Sequence, residues 1–451
     1  MPKLPETMTK AHYSGMSTMD IVNTVRAAAS NHDTFTGVSF DERIPECNKN
    51  NLDQVAQILY DNGELRNAFM VELFNRVGLV DMNYRRYHNP LRRLRRGFLE
   101  FGESIEEIVF GLIKGRCDWN IEDGVTDVFE IVRPLVNAAI HKINFKMKYP
   151  MTVPREELRA AMMSASGLGS FLDGLLTVPY NSYELDEQLA YKNLIKAALN
   201  AGYGVVNTSG GVINKQTAED FTTEVIALTT FLSNMRTDNN GMGWPTFTPS
   251  EDMVLIMDAR LNAVMKVQVL ASAFNMSEVE FIQAGIKIVI DEFPVDGVRA
   301  VLCDKRFFQI FDNDFSMESM YNGSNRATNY FLHVWEVISA SPFVNAIFFV
   351  DQNKLGSLAS ITLKAQTFVP TLGNPKPYLL TVEPEFTGTG LYDHRLTWSI
   401  SGNVDNRTYV TTWGYVVLFG DDRANPEKIT VTAKSYSDPS ITATVTLNPI
   451  S

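Results

Sequence analysis

The chain has 451 residues, 45% of them hydrophobic, and a formal net charge of −12. That length predicts about two or three domains with real cores, and the acidic balance argues against a protein that grips nucleic acid over a broad basic face. Cys47, Cys117 and Cys303 match no zinc or redox spacing and read as free thiols of a reducing compartment; the N-terminus lacks the apolar core of a signal peptide, and no run reaches the ~18 apolar residues of a membrane span.

Residues 1–16 are polar and contain proline, the composition of an arm without its own core. Ser17-Thr18-Met19-Asp20 opens a short helix with Ile21, Val22 and Val25 on one side. Residues 52–61 and 64–77 follow as helices, the second with Leu65, Phe69, Leu73 and Val77 at helical spacing. The next stretch, Tyr84 to Lys114, carries six arginines between Arg85 and Arg96, and Asn89-Pro90 breaks any continuous helix there. Mixed apolar and acidic residues run from Phe98 to Leu112; Ser104-x-x-Glu107 with Ile105, Ile108, Val109 and Leu112 reads locally as a capped helix. After a loop around Asp118–Asp127 the chain returns through 143–149, alternating apolar and polar, with Lys146 and Lys148 on the polar face. The outgoing and returning segments read as two arms of a charged excursion. A two-stranded arm is marginal alone, so a neighbouring subunit is the natural cover.

Residues 154–177 hold an apolar set interrupted by Gly167 and Gly169. Tyr183–Leu199 is the best helix of the chain, with Leu185, Leu189, Leu194, Ile195 and Leu199 apolar, acids Glu184, Asp186 and Glu187 in its first turn, and Gly202 to stop it. Thr217–Met235 is a second helix, with Phe221, Val225, Leu228 and Leu232 as its buried stripe. Strands are expected at 253–257, 286–290, 298–302, 327–341 and 343–350, with helical turns at 259–274. The interleaving lacks βαβ regularity, so the class is α+β. Beyond Asp351-Gln352-Asn353 no helix signal remains. Strands at 358–366, 378–386, 395–400, 408–412, 415–419, 428–434 and 440–447, with Trp398 in a central one, fit a small immunoglobulin-like sandwich.

Catalytic, cofactor and metal constellations are not found. Gly202-Tyr203-Gly204 and Ser209-Gly210-Gly211 lack Walker spacing, and no G-x-S-x-G or H-E-x-x-H occurs. The six histidines are scattered, with His333 a core or interface residue; Glu106-Glu107 and Asp421-Asp422 are adjacent, so each pair diverges and reads as solvated. The arginine run is the one contest. Nucleic-acid readers interleave aromatics within a basic domain, whereas acidic groups on partner copies would complement the run here. Arg92, Arg93, Arg95 and Arg96, with Lys146 and Lys148, are therefore read first as inter-subunit contacts.

Several stretches carry a family resemblance: MDIVNTVRAA (19–28), LFNRVGLV (73–80), NPLRRLRRG (89–97), SIEEI (104–108), LNAVMKVQVLASAFNM (261–276), VRAVLCDKRFFQIFDN (298–313), YFLHVWEVISASPFVNAIFFV (330–350) and LTWSISG (396–402). Together they resemble the major capsid proteins of tailed phages, most closely those of short-tailed phi29-like phages. The resemblance implies the Hong Kong 97-type capsid fold: N-terminal arm and short helices at 1–83, extended loop at 84–150, peripheral domain at 151–214 and 326–352 with a spine helix about 183–200, axial domain at 215–325, and a C-terminal immunoglobulin-like (BIG2-type) domain at 355–451. It makes 104–108 a strand of the extended loop. It further implies self-assembly through hexamer- and pentamer-like capsomers into an icosahedral or prolate head around double-stranded DNA, with scaffolding protein and portal as partners, assembly in the host cytoplasm, no membrane, no cofactor and no enzymatic activity. The rival readings are a secreted or surface adhesin bearing an immunoglobulin-like domain, and a nucleic-acid-binding enzyme.

Overall fold

In the computed structural model the described residues are 17–29, 43–48, 50–63, 65–66, 69, 87–99, 102, 104–113, 134–154, 167–208, 215–266, 285–324, 327–366, 378–423 and 425–447. The expected N-terminal arm, most of the 64–77 helix, Arg85 and Arg86, the loop at 118–127 and the helical turns beyond 266 lie outside them. In chain order the elements begin with α1 (Thr18–Ala29), α2 (Leu52–Asp61), β1 (Gly97–Phe98), β2 (Ser104–Phe110), β3 (Val136–Lys142) and β4 (Phe145–Pro154). Next come α3 (Gly167–Asn200), β5 (Val205–Asn207), α4 (Lys215–Leu232), β6 (Met253–Asp258), α5 (Ala259–Val264), β7 (Ile286–Ile290) and β8 (Val298–Asp304). Two long strands, β9 (Phe308–Asn322) and β10 (Ala327–Ala340), precede β11 (Ala346–Val350). The C-terminal strands are β12 (Ser357–Ala365), β13 (Tyr378–Thr389), β14 (Leu396–Ser401), β15 (Tyr409–Val410), β16 (Tyr415–Leu418), β17 (Thr430–Ser435) and β18 (Thr442–Thr446). Two compact units result, one from residues 1–89, 144–189 and 312–336, the other from 90–143, 190–311 and 337–451.

In the first unit α1 starts on a capping box: the Asp20 N–H donates to Ser17 Oγ at 3.3 Å, and the Ser17 N–H donates back to the Asp20 carboxylate at 3.2 Å. Its Ile21, Val22 and Val25 join Val55, Ala56 and Leu59 of α2, with Val153 and Tyr330, in one buried cluster. β4 runs antiparallel to β10, from Ala327 opposite Pro154 to Glu336 opposite Phe145. The returning strand is thus covered by its own chain. The reading that paired 98–112 with 143–149 is corrected: Val136–Lys142 is the segment that pairs with β2.

The long helix differs from its expected form too. It spans 34 residues and runs through Gly167, Gly169 and Pro179, where sequence rules place breaks. Its buried face near the middle is Tyr183, Glu184, Glu187 and Gln188, while Leu185 and Leu189 stand about half exposed. The acids taken for first-turn residues lie more than three turns inside the helix. Glu184 and Glu187 are buried and Asp186 half-buried, each met by a polar partner as described below.

The second unit holds a five-stranded sheet in the order β5-β11-β8-β6-β7. Every residue of β6 is buried, as in a strand covered on both faces. Phe221, Val225, Leu228 and Leu232 of α4 pack on Met253, Leu255 and Phe349, with Phe221 and Phe349 edge to face at 4.8 Å. All seven C-terminal strands form. Two antiparallel sheets, β12-β13-β16-β15 and β14-β17-β18, share a core of Ile361, Leu380, Val416, Leu418, Val431 and Ala433. β9 escaped the sequence reading altogether, as did β3 and the short β1 and β5.

Candidate assembly surfaces

The basic segment folds as a 3-10 turn, Pro90–Leu94, starting where proline's missing N–H costs nothing. Three-residue periodicity turns Leu91 and Leu94 inward, 0% and 4% exposed. In the first unit the Asn89 N–H donates to Glu184 Oε2 at 2.9 Å and its side-chain amide to Glu187 Oε2 at 3.0 Å. The Tyr183 hydroxyl donates to Glu336 Oε1 at 2.7 Å, and Tyr149 donates to Asp186 at 3.0 Å; burial and the Asp186 carboxylate push the Tyr149 phenol well above its usual range.

The predicted contact arginines fall into different environments. Arg95 donates from Nε to the Tyr191 hydroxyl at 3.1 Å. Arg96 donates to Gln309 Oε1 at 2.6 Å and stacks over Phe311 at 5.4 Å. Arg92 is half-buried and Arg93 exposed. On the outer face of the β4–β10 pair, Lys146 sits over Trp335 at 4.7 Å and Lys148 over Phe331 at 5.2 Å, a cation–aromatic ladder whose long stems cover the rings. His333, half-buried on that face, lies 4.0 Å from Glu318.

The β2–β3 pair leaves large apolar side chains exposed. On one face stand Ile108 and Phe110 with Val136 and Ile140, 50–63% exposed, beside Ser104, Glu106 and Lys142, and exposed Leu112 and Ile113 follow. The other face carries Ile105, Val109 and Ala139 together with Glu107, half-buried, and His141, buried. Glu107 accepts from the Ser341 hydroxyl at 2.9 Å and lies 3.3 Å from His141 Nε2, while His141 Nδ1 meets Ser339 Oγ at 2.8 Å. The Asn137 side chain bonds the Tyr415 hydroxyl. Polar side chains thus bond the pair to its own unit, while four large apolar side chains stay exposed on the opposite face. This clamp was missed from sequence because its partners are up to 234 residues apart. The adjacent acids also diverge from their expected solvated roles: Glu107 is tied into the clamp, and buried Asp422 accepts the N–H groups of Val404 and Asp405 at 2.8 and 3.0 Å.

Among the described residues no group of His, Cys, Asp and Glu is arranged to hold a metal ion, and no helix is long and apolar enough to cross a membrane. Cys47 and Cys303 are buried, unbridged thiols, pushed up in pKa by that burial. The sequence profile described as that of the phi29-like phage major capsid protein matches residues 29–350. The chain belongs to this family. The major capsid protein of Bacillus phage B103 is 30% identical over 395 residues, covering 85% of this chain and 83% of the relative. That of Bacillus phage GA-1 is 34% identical over 325 residues, covering 69% and 66%. Among solved structures, a chain from the capsid structure of Staphylococcus phage Andhra matches with a TM-score of 0.46 at 14% identity, covering 59% of this chain and 85% of that one. The protein is a phage major capsid protein, a structural component of the virion that assembles into multimeric shells and not an enzyme.

Proposed function

We propose that this capsid protein adopts the Hong Kong 97-type arrangement, with an extended loop at 84–150, a peripheral domain at 151–214 and 326–352, an axial domain at 215–325 and an immunoglobulin-like domain at 355–451. Hexamer- and pentamer-like capsomers of it form an icosahedral or prolate head around double-stranded DNA, with scaffolding protein and portal as partners and assembly in the host cytoplasm. The observation that carries this reading is the outward face of the β2–β3 pair: Ile108, Phe110, Val136 and Ile140 stand exposed there, and a shell of many copies would cover them. The seven C-terminal strands in two sheets around one core support the immunoglobulin-like assignment. The acidic chain suits a wall that must not bind the packaged genome tightly.

Of the basic residues, Arg93 offers an exposed charge for a neighbouring subunit, and Arg92, Arg95, Arg96, Lys146 and Lys148 border the same kind of contact while also bonding or stacking within their own chain. A photo-crosslinking residue in place of Ile108 tests the arrangement. Crosslinks between subunits should form in assembled particles and not in dilute unassembled chain. Crosslinks confined to the same chain in both states would refute it.

A further inference from the structure

The second unit contains a cleft between the loop Asp238–Gly243 and the C-terminal sheets, about 790 Å³ in volume. That lies within the ~300–1,000 Å³ of small-molecule sites. Its walls are fixed to one another. Trp244 and Trp413 pack at a tilt of 43° with ring centroids 4.4 Å apart, Thr412 Oγ1 donates to the Gly243 carbonyl at 2.6 Å, and Arg395 reaches the Asp238 carbonyl at 3.3 Å. Gly243 permits this approach, with a φ of +65° and the Thr412 carbonyl 2.8 Å from where a Cβ would stand.

The chemistry of the lining selects among ligands. Trp398, Trp413 and Tyr436 line it with aromatic surface; Tyr436 is 51% exposed, with the Arg395 guanidinium over one face of its ring at 4.2 Å. Thr381, Thr397 and Thr412 donate their hydroxyl protons to protein oxygens and keep lone pairs for a ligand. Thr411 accepts from the Tyr415 N–H and keeps its proton to donate. The charges are mostly spent: Arg395 is bidentate on Asp393 at 3.1 and 2.7 Å, and Asp238 is bidentate on Arg236 at 2.9 and 2.7 Å. Glu383 adds an acceptor without a cation cluster around it. A phosphate or a nucleic-acid strand needs clustered positive charge, which this lining lacks. An apolar ligand would leave the threonine hydroxyls dry. A neutral polyhydroxylated chain satisfies both the rings and the hydroxyls.

We propose that this cleft binds a neutral oligosaccharide. The test uses assembled particles and, in parallel, the soluble full chain, with chitohexaose and maltohexaose as probes and inorganic phosphate and a short oligothymidylate as anionic controls. Tryptophan fluorescence and saturation-transfer NMR report binding. At least one hexasaccharide should bind, and Tyr436→Ala and Glu383→Ala should each weaken it by about tenfold. Tyr409→Ala, an exposed tyrosine outside the cleft, should leave it unchanged. Circular dichroism confirms that each variant is folded. No binding of either hexasaccharide at about 10 mM, binding undiminished in both cleft variants, or preferential binding of an anionic control overturns the proposal.

Discussion

The exposed apolar side chains of the β2–β3 pair make the sharpest quantitative demand. Phe110 and Ile140 share its outward face and are each 63% exposed. Fully burying an apolar side chain of this size is worth about 1.5–3 kcal/mol, so covering the exposed part of each is worth about 1–2 kcal/mol. Changing both to serine should therefore remove about 2–4 kcal/mol from each subunit contact that covers the face. That raises the concentration needed for assembly by about thirty-fold to nearly a thousand-fold. The isolated chain should hardly notice, because exposed substitutions away from special features stay within about 0.5 kcal/mol. Sedimentation velocity across a concentration series reads the assembly threshold, and urea denaturation of the unassembled chain reads the fold. Shells forming at the wild-type threshold would refute the covering argument. A loss of monomer stability as large as the loss of assembly would show that the face is already buried within the chain.

The remaining predictions rest on single contacts. Replacing Arg92, Arg93, Arg95 and Arg96 with serine should weaken shell formation without DNA present, and high salt should weaken the wild type in the same direction by screening exposed pairs; normal empty shells that fail only to retain DNA would reassign the run to the genome. Leu189→Pro should cost about 3 kcal/mol or more by breaking α3, whereas Leu189→Ala should be nearly silent in urea denaturation of the unassembled chain because the side chain stands 49% exposed; equal costs would contradict the observed face. Burial holds the His394 imidazole below its ordinary pKa, against the pull of Asp393. The unfolded chain then binds more protons, so this stability is complete above about pH 6.5 and is lost as pH falls through the folded value. His394→Phe should flatten that slope in a pH series of denaturation midpoints, and an unchanged slope would assign it to other groups.

Where the sequence was legible, short-range chemistry decided the outcome. The C-terminal strands follow one another between Gly, Pro, Asn and Asp turns, and all seven lie where alternation and punctuation put them. Capping decided α1, which begins on Ser17 and Asp20. The failures come from tertiary contacts overriding local rules. Pro179 and two glycines sit within α3, whose length depends on packing Tyr183 against Leu332 and Val334 more than on propensity. β9 was missed because its FDNDFSMES core reads as a polar loop until β10 is there to pair with it. The inward face of α3 was misjudged for the same reason: leucines look like core and glutamates like surface until Asn89 and Glu336 are placed beside them.

The β2–β3 pair shows the same limit. Its burial alternates residue by residue, but the sequences SIEEIVF and VNAAIHK do not, which is why 104–112 reads locally as a helix. Nor does a sequence pattern report which face the chain itself covers. Convention turns apolar side chains inward, and Ile105 and Val109 do face that way, but Ile108, Phe110 and Ile140 stand outward. Here Glu107 and His141 take the inward place because Ser339 and Ser341 satisfy them, so their burial carries no unpaired polar group. With that clamp fixing the orientation, Ile108, Phe110, Val136 and Ile140 are left outward beside Glu106 and Lys142. On the assembly reading proposed above, covering them would add to the stability of the shell and not to that of the single chain, and the polar side chains are what set the orientation.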